Sequence, residues 1–352
     1  MISKERVLAA VDHCETDRIP ITFDAEREVY DILFEHFKTN SKEALFDRLN
    51  VDTWMILPEN FIYPKSEEDK IEKTSIWGYK TRATPYSGGT YDELFYSPLA
   101  GKNEIQDIKN HSWPSPEALG FSHFPAEAEA HKDRAIIGVF TWGAFFIASF
   151  VRSTQDLMMD FALRKDYAEY LIRHIGEVSL AVLERMLESY GQDIDIVYMA
   201  DDYCSQQAPL FSPDVFKEMV VPYLSEMVDM VHRHNKKFLL HVCGAVRPLL
   251  PMIIDAGVDM LEPIQIRAQG MDPEGLKRDF GNDICFYGGV DLQQILCNGT
   301  PRQVSDEVKR LIDILGPGGG YVLGPGHTYI QIDAPVENIL AMYETAAGYL
   351  VR

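Results

Sequence analysis

Along the chain, short runs dense in Val, Ile, Leu, Phe and Tyr alternate with longer stretches whose apolar residues recur at helical spacing. The β-rich runs are Ile19–Phe23, Thr53–Leu57, Ala135–Phe140, Ile194–Met199, Lys237–His241, Val258–Glu262, Ile284–Tyr287 and Tyr321–Leu323, eight in all. They are mostly continuous in apolar character rather than alternating, as expected of parallel strands covered outside by helices. Between them, Ser212–Pro213 predicts a capped helix over Asp214–His232 with Phe216, Met219, Val220, Leu224, Met227 and Val231 on one face. Thr300–Pro301 opens another, with Val304, Val308, Leu311 and Ile312 inward, and Ala334–Pro335 opens the last.

Four strand–helix units in succession from about residue 194 onward predict an α/β fold. Eight strands favour a (β/α)8 TIM barrel over a doubly wound sheet, the competing architecture. The reading is one domain over residues 1–352, and no internal repeat is apparent. Thr74–Pro98 differs from the rest. With Gly88–Gly89 as its turn it predicts a β-hairpin insertion, about residues 71–99, after the second strand. Excursions of this kind on the C-terminal side of a barrel often cover the site.

Composition narrows the function classes. The 352 residues are 46% hydrophobic and 25% charged, enough apolar surface for a large core. The formal net charge of -21 disfavours nucleic acid and anionic membranes as partners, and counts against a highly anionic substrate. Five irregularly spaced cysteines predict no disulfide framework and fit a reducing, cytoplasmic setting. Met1 leads straight into a charged, helix-like segment, so neither a signal peptide nor a membrane span is expected.

The chemistry gathers at the strand ends. The fourth run leads into Ala200-Asp201-Asp202, the fifth into His241-Val242-Cys243-Gly244 and the sixth into Glu262-Pro263. The seventh leads into Gly288-Gly289-Val290-Asp291 and the eighth into Gly324-Pro325-Gly326-His327. In a barrel these ends converge on one mouth. Residues two apart on a strand share a face, so His241 and Cys243 can aim at one ion, and imidazole with thiolate is a zinc pair. On its own, such a pair reads as a hydrogen-bonded core histidine beside an inert cysteine. Glu262 and His327 at neighbouring strand ends tip the reading toward a metal. Asp201 and Asp202 are candidates for catalysis, one of them expected to cap the following helix. Trp142 and Phe146 either line an apolar pocket or pack beneath a loop. Cys204 lies near enough to Asp202 to be of interest.

With these residues in view, the chain resembles the uroporphyrinogen decarboxylase superfamily over nearly its whole length. ERVLAAVDHCETDRIPI is similar to the family's opening helix, turn and first strand, and DDYCSQQAPLFSPDVFKEMVVPYL to the segment after strand four. HVCGAVRPLLPMIIDAGVDMLEPIQ, FYGGVDLQQILCNGTPRQV and GPGGGYVLGPGHTYIQIDAPVENILAMYE resemble the C-terminal blocks. The resemblance implies a (β/α)8 barrel. True uroporphyrinogen decarboxylases carry an arginine-rich motif near the N-terminus and use no metal. Here the corresponding stretch is FDAEREVYDIL, acidic where arginines are expected.

The His-x-Cys-Gly block is similar instead to the corrinoid-dependent methyltransferase branch, where those residues bind zinc. The third ligand of that branch is a cysteine in the strand-eight segment, and this chain has His327 there. The resemblance therefore implies a zinc methyltransferase working with a separate corrinoid protein, with His241, Cys243, Glu262 and His327 as ligands and a homodimer as one option for its assembly. Replacing a cysteinate by histidine leaves a more Lewis-acidic metal. That favours demethylation of a small methoxylated or methylated compound over methylation of a thiol. Trp54, Trp142, Phe145 and Phe146 are expected to hold its ring, with Arg152 and Asp291 as further substrate contacts. Two alternatives stand beside it. One is a metal-free decarboxylase of a smaller carboxylate, with Asp201 or Asp202 as acid–base group and Arg152 as anchor. The other is a non-catalytic barrel that binds a small ligand.

Overall fold

The computed structural model describes residues 1–67, 69–86 and 89–350. Seven parallel strands form one sheet: β1 (Thr53–Ile56), β5 (Ala135–Trp142), β6 (Ile196–Ala200), β7 (Lys237–His241), β8 (Met260–Glu262), β9 (Cys285–Val290) and β10 (Tyr321–Pro325), paired in that order. Between β1 and β5, a separate antiparallel sheet joins β2 (Glu72–Thr74), β3 (Lys80–Tyr86) and β4 (Gly89–Tyr96). Gly88 of the expected turn lies outside the described residues; Gly89 opens β4.

The first predicted strand forms no regular ladder. Ile21 bridges Leu323 in parallel, with Thr22 N donating to Leu323 O at 2.9 Å and Leu323 N to Pro20 O at 2.8 Å. On its other side, Asp52 N donates to Ile21 O at 2.7 Å. Pro20 has no N–H to give, which helps keep this segment to isolated bridges. Both edges of the sheet thus meet one extended segment, and the sheet curls to bring them there, an arrangement consistent with a (β/α)8 barrel.

Alternation along the strands sorts the core into two parts. Ala135, Ile137, Val139, Ile196, Tyr198, Ala200, Leu239, Met260, Cys285, Tyr287 and Val322 form one buried cluster, the inside of the curl. The residues between them, such as Ile136, Val197, Leu240, Leu261 and Phe286, join the larger core beneath the helices. Strands buried on both faces read as continuous apolar runs, which is why the sequence showed no alternation.

Helix starts follow the expected caps. Ser212 Oγ accepts from Val215 N, and Thr300 forms a capping box with Gln303 ahead of Pro301–Leu315. The predicted helix over Asp214–His232 is two helices, Pro213–Met219 and Val221–Arg233. Pro222 has no N–H for the carbonyl four residues back, so the helix breaks there.

The seam is pinned by charge. Asp52 is fully buried and accepts from Arg6 Nη1 at 2.7 Å, Arg18 Nη1 at 2.7 Å and Ile21 N at 2.8 Å. Removing one member of a buried ionic cluster strands the other charges. Asp52→Ala is expected to cost about 3–5 kcal/mol, read as a lower urea midpoint; a loss within about 0.5 kcal/mol, the usual range for a surface substitution, would show that the clamp is dispensable.

Candidate metal centre and substrate cavity

Parallel register builds the site. Trp142 pairs with Ala200, Ala200 with His241, and His241 with Glu262, so four adjacent strands reach the mouth at one level. Neighbours in parallel register share a face, and His241 and Glu262 therefore meet. His241 Nδ1 lies 2.5 Å from Glu262 Oε2. Thr328 Oγ1 donates to Glu262 Oε1 at 2.9 Å and lies 3.1 Å from the same ring nitrogen. Tyr198 OH donates to Glu262 Oε2 at 3.3 Å.

With Nδ1 so engaged, Nε2 faces the cavity. It lies 3.4 Å from Cys243 Sγ and 3.5 Å from Asp202 Oδ1. Asp202, His241 and Cys243 each present a ligand atom within 4.8 Å of the other two. Asp202 is further fixed by Cys243 N, which donates to its Oδ1 at 2.9 Å. His327 Nδ1 accepts from Tyr329 N at 3.3 Å, and His327 hydrogen-bonds Cys243; the two imidazoles stand edge to face with centroids 6.5 Å apart. Gln265 Nε2 also lies 3.4 Å from Cys243 Sγ.

The electrostatics follow from this packing. Burial alone would raise the Cys243 thiol, but hydrogen bonds from His241 and His327 bring it below the usual range. Burial alone would lower His241, but the Glu262 charge, with Tyr198 and Asp202, holds it well above. Asp202 is lowered, because hydrogen bonds from His241 and Cys243 N outweigh its burial. Cys204 behaves otherwise: burial, with the Asp202 and Cys243 charges, pushes its thiol up to about 12.

The donor set fits zinc. It offers one thiolate, one imidazole and one carboxylate, with the imidazole's second nitrogen on a carboxylate, the usual support of a metal-bound histidine. Of the four ligands expected from the sequence, His241 and Cys243 come together directly. His327 approaches through Cys243. Glu262 sits on the opposite side of the His241 ring from the other donors. Asp202 takes its place in the cluster, a position the sequence reading had reserved for acid–base work.

Above the donors lies a cavity of about 170 Å³. Its walls include Met55, Leu57, Phe61, Trp142, Phe146, Tyr198 and Tyr329. Trp142 and Phe146 thus line a pocket, with ring centroids 5.3 Å apart, and Phe61 stands 4.8 Å from Trp142. Two other expected ring contacts lie elsewhere. Trp54 stacks on His131 and donates to Glu127, and Phe145 packs on Phe161 and Phe211.

Three polar expectations are corrected. Arg152 is fully buried, paired with Asp160 at 2.8 Å and lying over the Tyr167 ring, so its guanidinium is spent there, and it is not among the described residues that line this cavity. Asp291 caps the turn at Leu292 through Gln293 N and Gln294 N, pairs with Arg267 at 2.8 Å, and lines a separate polar groove beside His327. Asp201 is fully buried and caps no following helix. It accepts from Phe145 N and Phe146 N at the start of the earlier helix Ala144–Val151, and from the Tyr203 and Tyr223 hydroxyls. That contact requires Gly143, where a Cβ would stand 2.1 Å from the Asp201 carboxylate. Gly244, at φ +96, turns the chain after Cys243 where a Cβ would stand 2.4 Å from Ser205 O.

Sequence reasoning missed Tyr198, Thr328, Gln265 and Phe61. Tyr198 was within reach, since Tyr198, Ala200 and Asp202 keep the period of two. The others sit on loops, where no period applies.

The uroporphyrinogen decarboxylase (URO-D) family model matches residues 126–349. The chain belongs to that family. The matched segment carries every site residue from Trp142 to His327 and excludes Met55, Leu57 and Phe61. Among relatives, the methylcobamide:CoM methyltransferase MtbA of Methanosarcina acetivorans is 25% identical over 179 residues, 51% of this chain and 48% of that protein. The methylated-thiol–coenzyme M methyltransferase of Methanosarcina mazei is 28% identical over 45% of this chain and 38% of its own length. The uroporphyrinogen decarboxylase of Hordeum vulgare is 26% identical over 72% of this chain and 75% of its own. The chain thus spans less than half the length of the two methyltransferases. A solved methyltransferase from Methanosarcina mazei superposes with a TM-score of 0.71 over 99% of this chain and 98% of its own, at 19% identity, and so shares the fold.

Two outcomes follow for the buried acids. Arg152→Met is expected to lower the urea midpoint by the equivalent of about 3–5 kcal/mol, because Asp160 loses its buried partner; a substrate-anchoring arginine would instead leave stability intact and raise KM. Burial pushes Asp201 up from 3.8 to about 7. The folded chain therefore holds a proton that the unfolded chain has released, and this contribution to stability declines as pH rises through that window. The melting temperature of Asp201→Asn should lack this decline, and a variant profile parallel to the parent's would refute the assignment.

Proposed function

We propose that this chain is a zinc-dependent methyltransferase that works with a separate corrinoid protein. It takes the methyl group from a small methoxylated or methylated compound. The observation that carries this reading is the Asp202–His241–Cys243 donor cluster at the base of an aromatic-walled cavity. The frame is read as a closed (β/α)8 barrel with Ile19–Phe23 as its eighth staves' seam, and the Glu72–Tyr96 sheet as an insertion over the mouth. Five free cysteines fit a reducing cytoplasm.

The chain's own residues divide the work. Glu262 takes the Nδ1 side of His241, leaving Nε2 free for the cavity. Thr328 and Tyr198 hold Glu262 in turn. His327 and His241 favour the thiolate of Cys243, and the Cys243 backbone N–H fixes Asp202 alongside. Trp142, Phe146 and Phe61 provide an apolar wall that excludes water and orients a small substrate. Bound zinc would supply Lewis acidity toward the group from which the methyl departs.

Methyl transfer from the corrinoid to a thiol is the second reading, favoured by the names of the methanogen relatives. A decarboxylase of the family's type loses its expected anchor, since Arg152 is spent on Asp160. No Lys or Arg is among the described residues that line the cavity.

Protein purified without chelator should hold zinc near stoichiometry, and His241→Ala should retain less than about a tenth of an equivalent. Glu262→Gln should weaken zinc by about 10–100-fold in a chelator competition. With cob(I)alamin, methylcobalamin should form from a methoxyaromatic compound faster than a thiol demethylates methylcobalamin. A metal-free parent protein, or a faster thiol reaction, would defeat the corresponding part of this reading.

A further inference from the structure

Behind the cavity lies a deeper chamber with about 20 Å³ of room, the space of one water. The two adjoin, sharing Met55, Tyr198, His327 and Thr328 in their walls. Two carboxyls border the chamber, Asp24 and Glu262. Glu262 is committed to His241, Thr328 and Tyr198. Asp24 is committed on one oxygen alone. Its Oδ1 accepts from Ala25 N at 2.9 Å and from the Tyr30 hydroxyl at 3.0 Å, and Oδ2 has no hydrogen-bond partner among the described residues. Its place is fixed by the loop that carries His327 and Thr328. Ile330 N donates to Asp24 O at 3.0 Å, Glu26 N donates to Ile330 O at 2.9 Å, and Ala25 bridges Ile330 in parallel.

Two carboxyls facing one small chamber do not ionise together without cost. Burial raises Asp24 above its ordinary value and the Glu262 charge adds to this, while the Lys42 charge, Ala25 N and the Tyr30 hydroxyl oppose it. Glu26 on its own segment, Tyr287 on β9, Tyr329 on the loop after β10 and Tyr343 on the last helix also feel its charge.

Methyl transfer from an aryl ether leaves a phenoxide, which needs a proton to depart as a phenol. With a metal bound, the cavity's own walls hold no ready acid. Asp202 sits below the usual carboxylate range and Cys243 below the usual thiol range. Imidazoles that donate to a metal carry it in place of a proton, and the Nδ1 side of His241 is held by Glu262. Burial raises the phenols of Tyr198 and Tyr329.

We infer that Asp24, at the back of the deeper chamber, supplies the proton that turns the departing phenoxide into a phenol, passing it through one water in that chamber. A proton donor can act through a single water. The inference rests on the methyl-transfer reading and narrows its donor to an aryl methyl ether. The bond from methyl carbon to ether oxygen breaks, and both electrons stay on oxygen. The methyl carbon accepts the electron pair of the reduced corrinoid cobalt held by the partner protein. The oxygen takes the proton, Asp24 is left as carboxylate, and bulk water reprotonates it between turnovers.

The assay is methylcobalamin formation from cob(I)alamin by the zinc-loaded full chain, with 4-methylanisole and 4-cyanoanisole as donors. They are similar in size, but the cyano phenoxide is the weaker base and needs the proton less. Asp24→Asn, with zinc content unchanged, should slow 4-methylanisole by about 10²–10⁴-fold, the usual worth of a general acid, and 4-cyanoanisole markedly less. The acid form is the active one, so the parent's rate should fall as pH rises through the Asp24 ionisation, and the variant should lack that fall. Lys42→Met and Tyr30→Phe each remove a group that favours the carboxylate, so each should move the fall to higher pH. These two variants carry the test if Asp24→Asn fails to fold. Equal slowing of both ethers, which marks a structural role, overturns the inference. So does an unchanged rate, or a pH profile that Lys42→Met and Tyr30→Phe leave in place. In each of these cases methylcobalamin formed by the parent keeps the functional reading. A parent that forms none from either ether defeats the ether donor and the inference together.

Discussion

The architecture depends on a buried carboxylate at the foot of the sheet. Asp52 precedes β1, yet its hydrogen bonds reach Arg6 on the first helix, Arg18 in the turn and Ile21 in the segment that meets β10. A curled parallel sheet must join its last strand to its first, and here the joining segment contains Pro20 and forms few ladder bonds. The ionic cluster does what the ladder does elsewhere. Without that closure β10 would be an open edge, and the loop bearing His327 and Thr328 would have no fixed position relative to β7 and β8.

Once the sheet curls, register decides which groups meet. His241 and Glu262 come from strands that are neighbours in the sheet, and pairing at one level with a common face brings imidazole and carboxylate together. The consequence is a choice of ring nitrogen. Because Glu262 and Thr328 take Nδ1, the remaining nitrogen is aimed at Cys243 and Asp202. A carboxylate that looked like a ligand thus acts on the donor set by orienting one of its members. The same division appears at the adjacent acids: Asp201 turns toward the helix at Ala144 and anchors it, and Asp202 turns into the cavity, because successive residues of an extended chain face opposite ways.

How much of this was legible in the sequence varied with distance along the chain. Seven of the eight β-rich runs are strands, within a few residues of their expected ends, because runs of buried Val, Ile, Leu and Phe carry the signal locally. Ile19–Phe23 forms no strand: it meets the sheet through an isolated bridge at Ile21, where Pro20 limits its pairing. His241 and Cys243 were legible for the same reason, a two-residue spacing on one strand. Arg152 was not. Its partner Asp160 is eight residues on, across a helix boundary at Ser153, and nothing local distinguishes a buried ion pair from a ligand anchor. Asp201 was read as a cap for the next helix, whereas its partners are Phe145 and Phe146, more than fifty residues earlier. Trp54 and Phe145 failed through facing. Aromatics near a strand end fall inside or outside the curl according to parity, and Trp54, one residue before the inward Met55, faces out.

The disposition of charge links fold to chemistry. The arginines nearest the mouth are committed elsewhere: Arg152 to Asp160, Arg267 to Asp291, and Arg247 to Asp279. Each is paired with an acid, and none of the three is left to balance Asp202 and Cys243. The Asp202 carboxylate and the Cys243 sulfur at the cavity base therefore face apolar walls, where the low dielectric strengthens the field of any charge they carry rather than screening it. Such a pair is costly unless a positive group shares the site. In the bare chain His241 and His327 serve that purpose, which is why both are pushed toward the charged form. A metal cation would relieve the histidines of that duty and use their nitrogens as donors instead. The geometry that makes the histidines basic is thus the geometry that would suit the cluster to a metal ion. Both trace back to Glu262 standing behind His241 and to the absence of any lysine or arginine among the described residues in front of it.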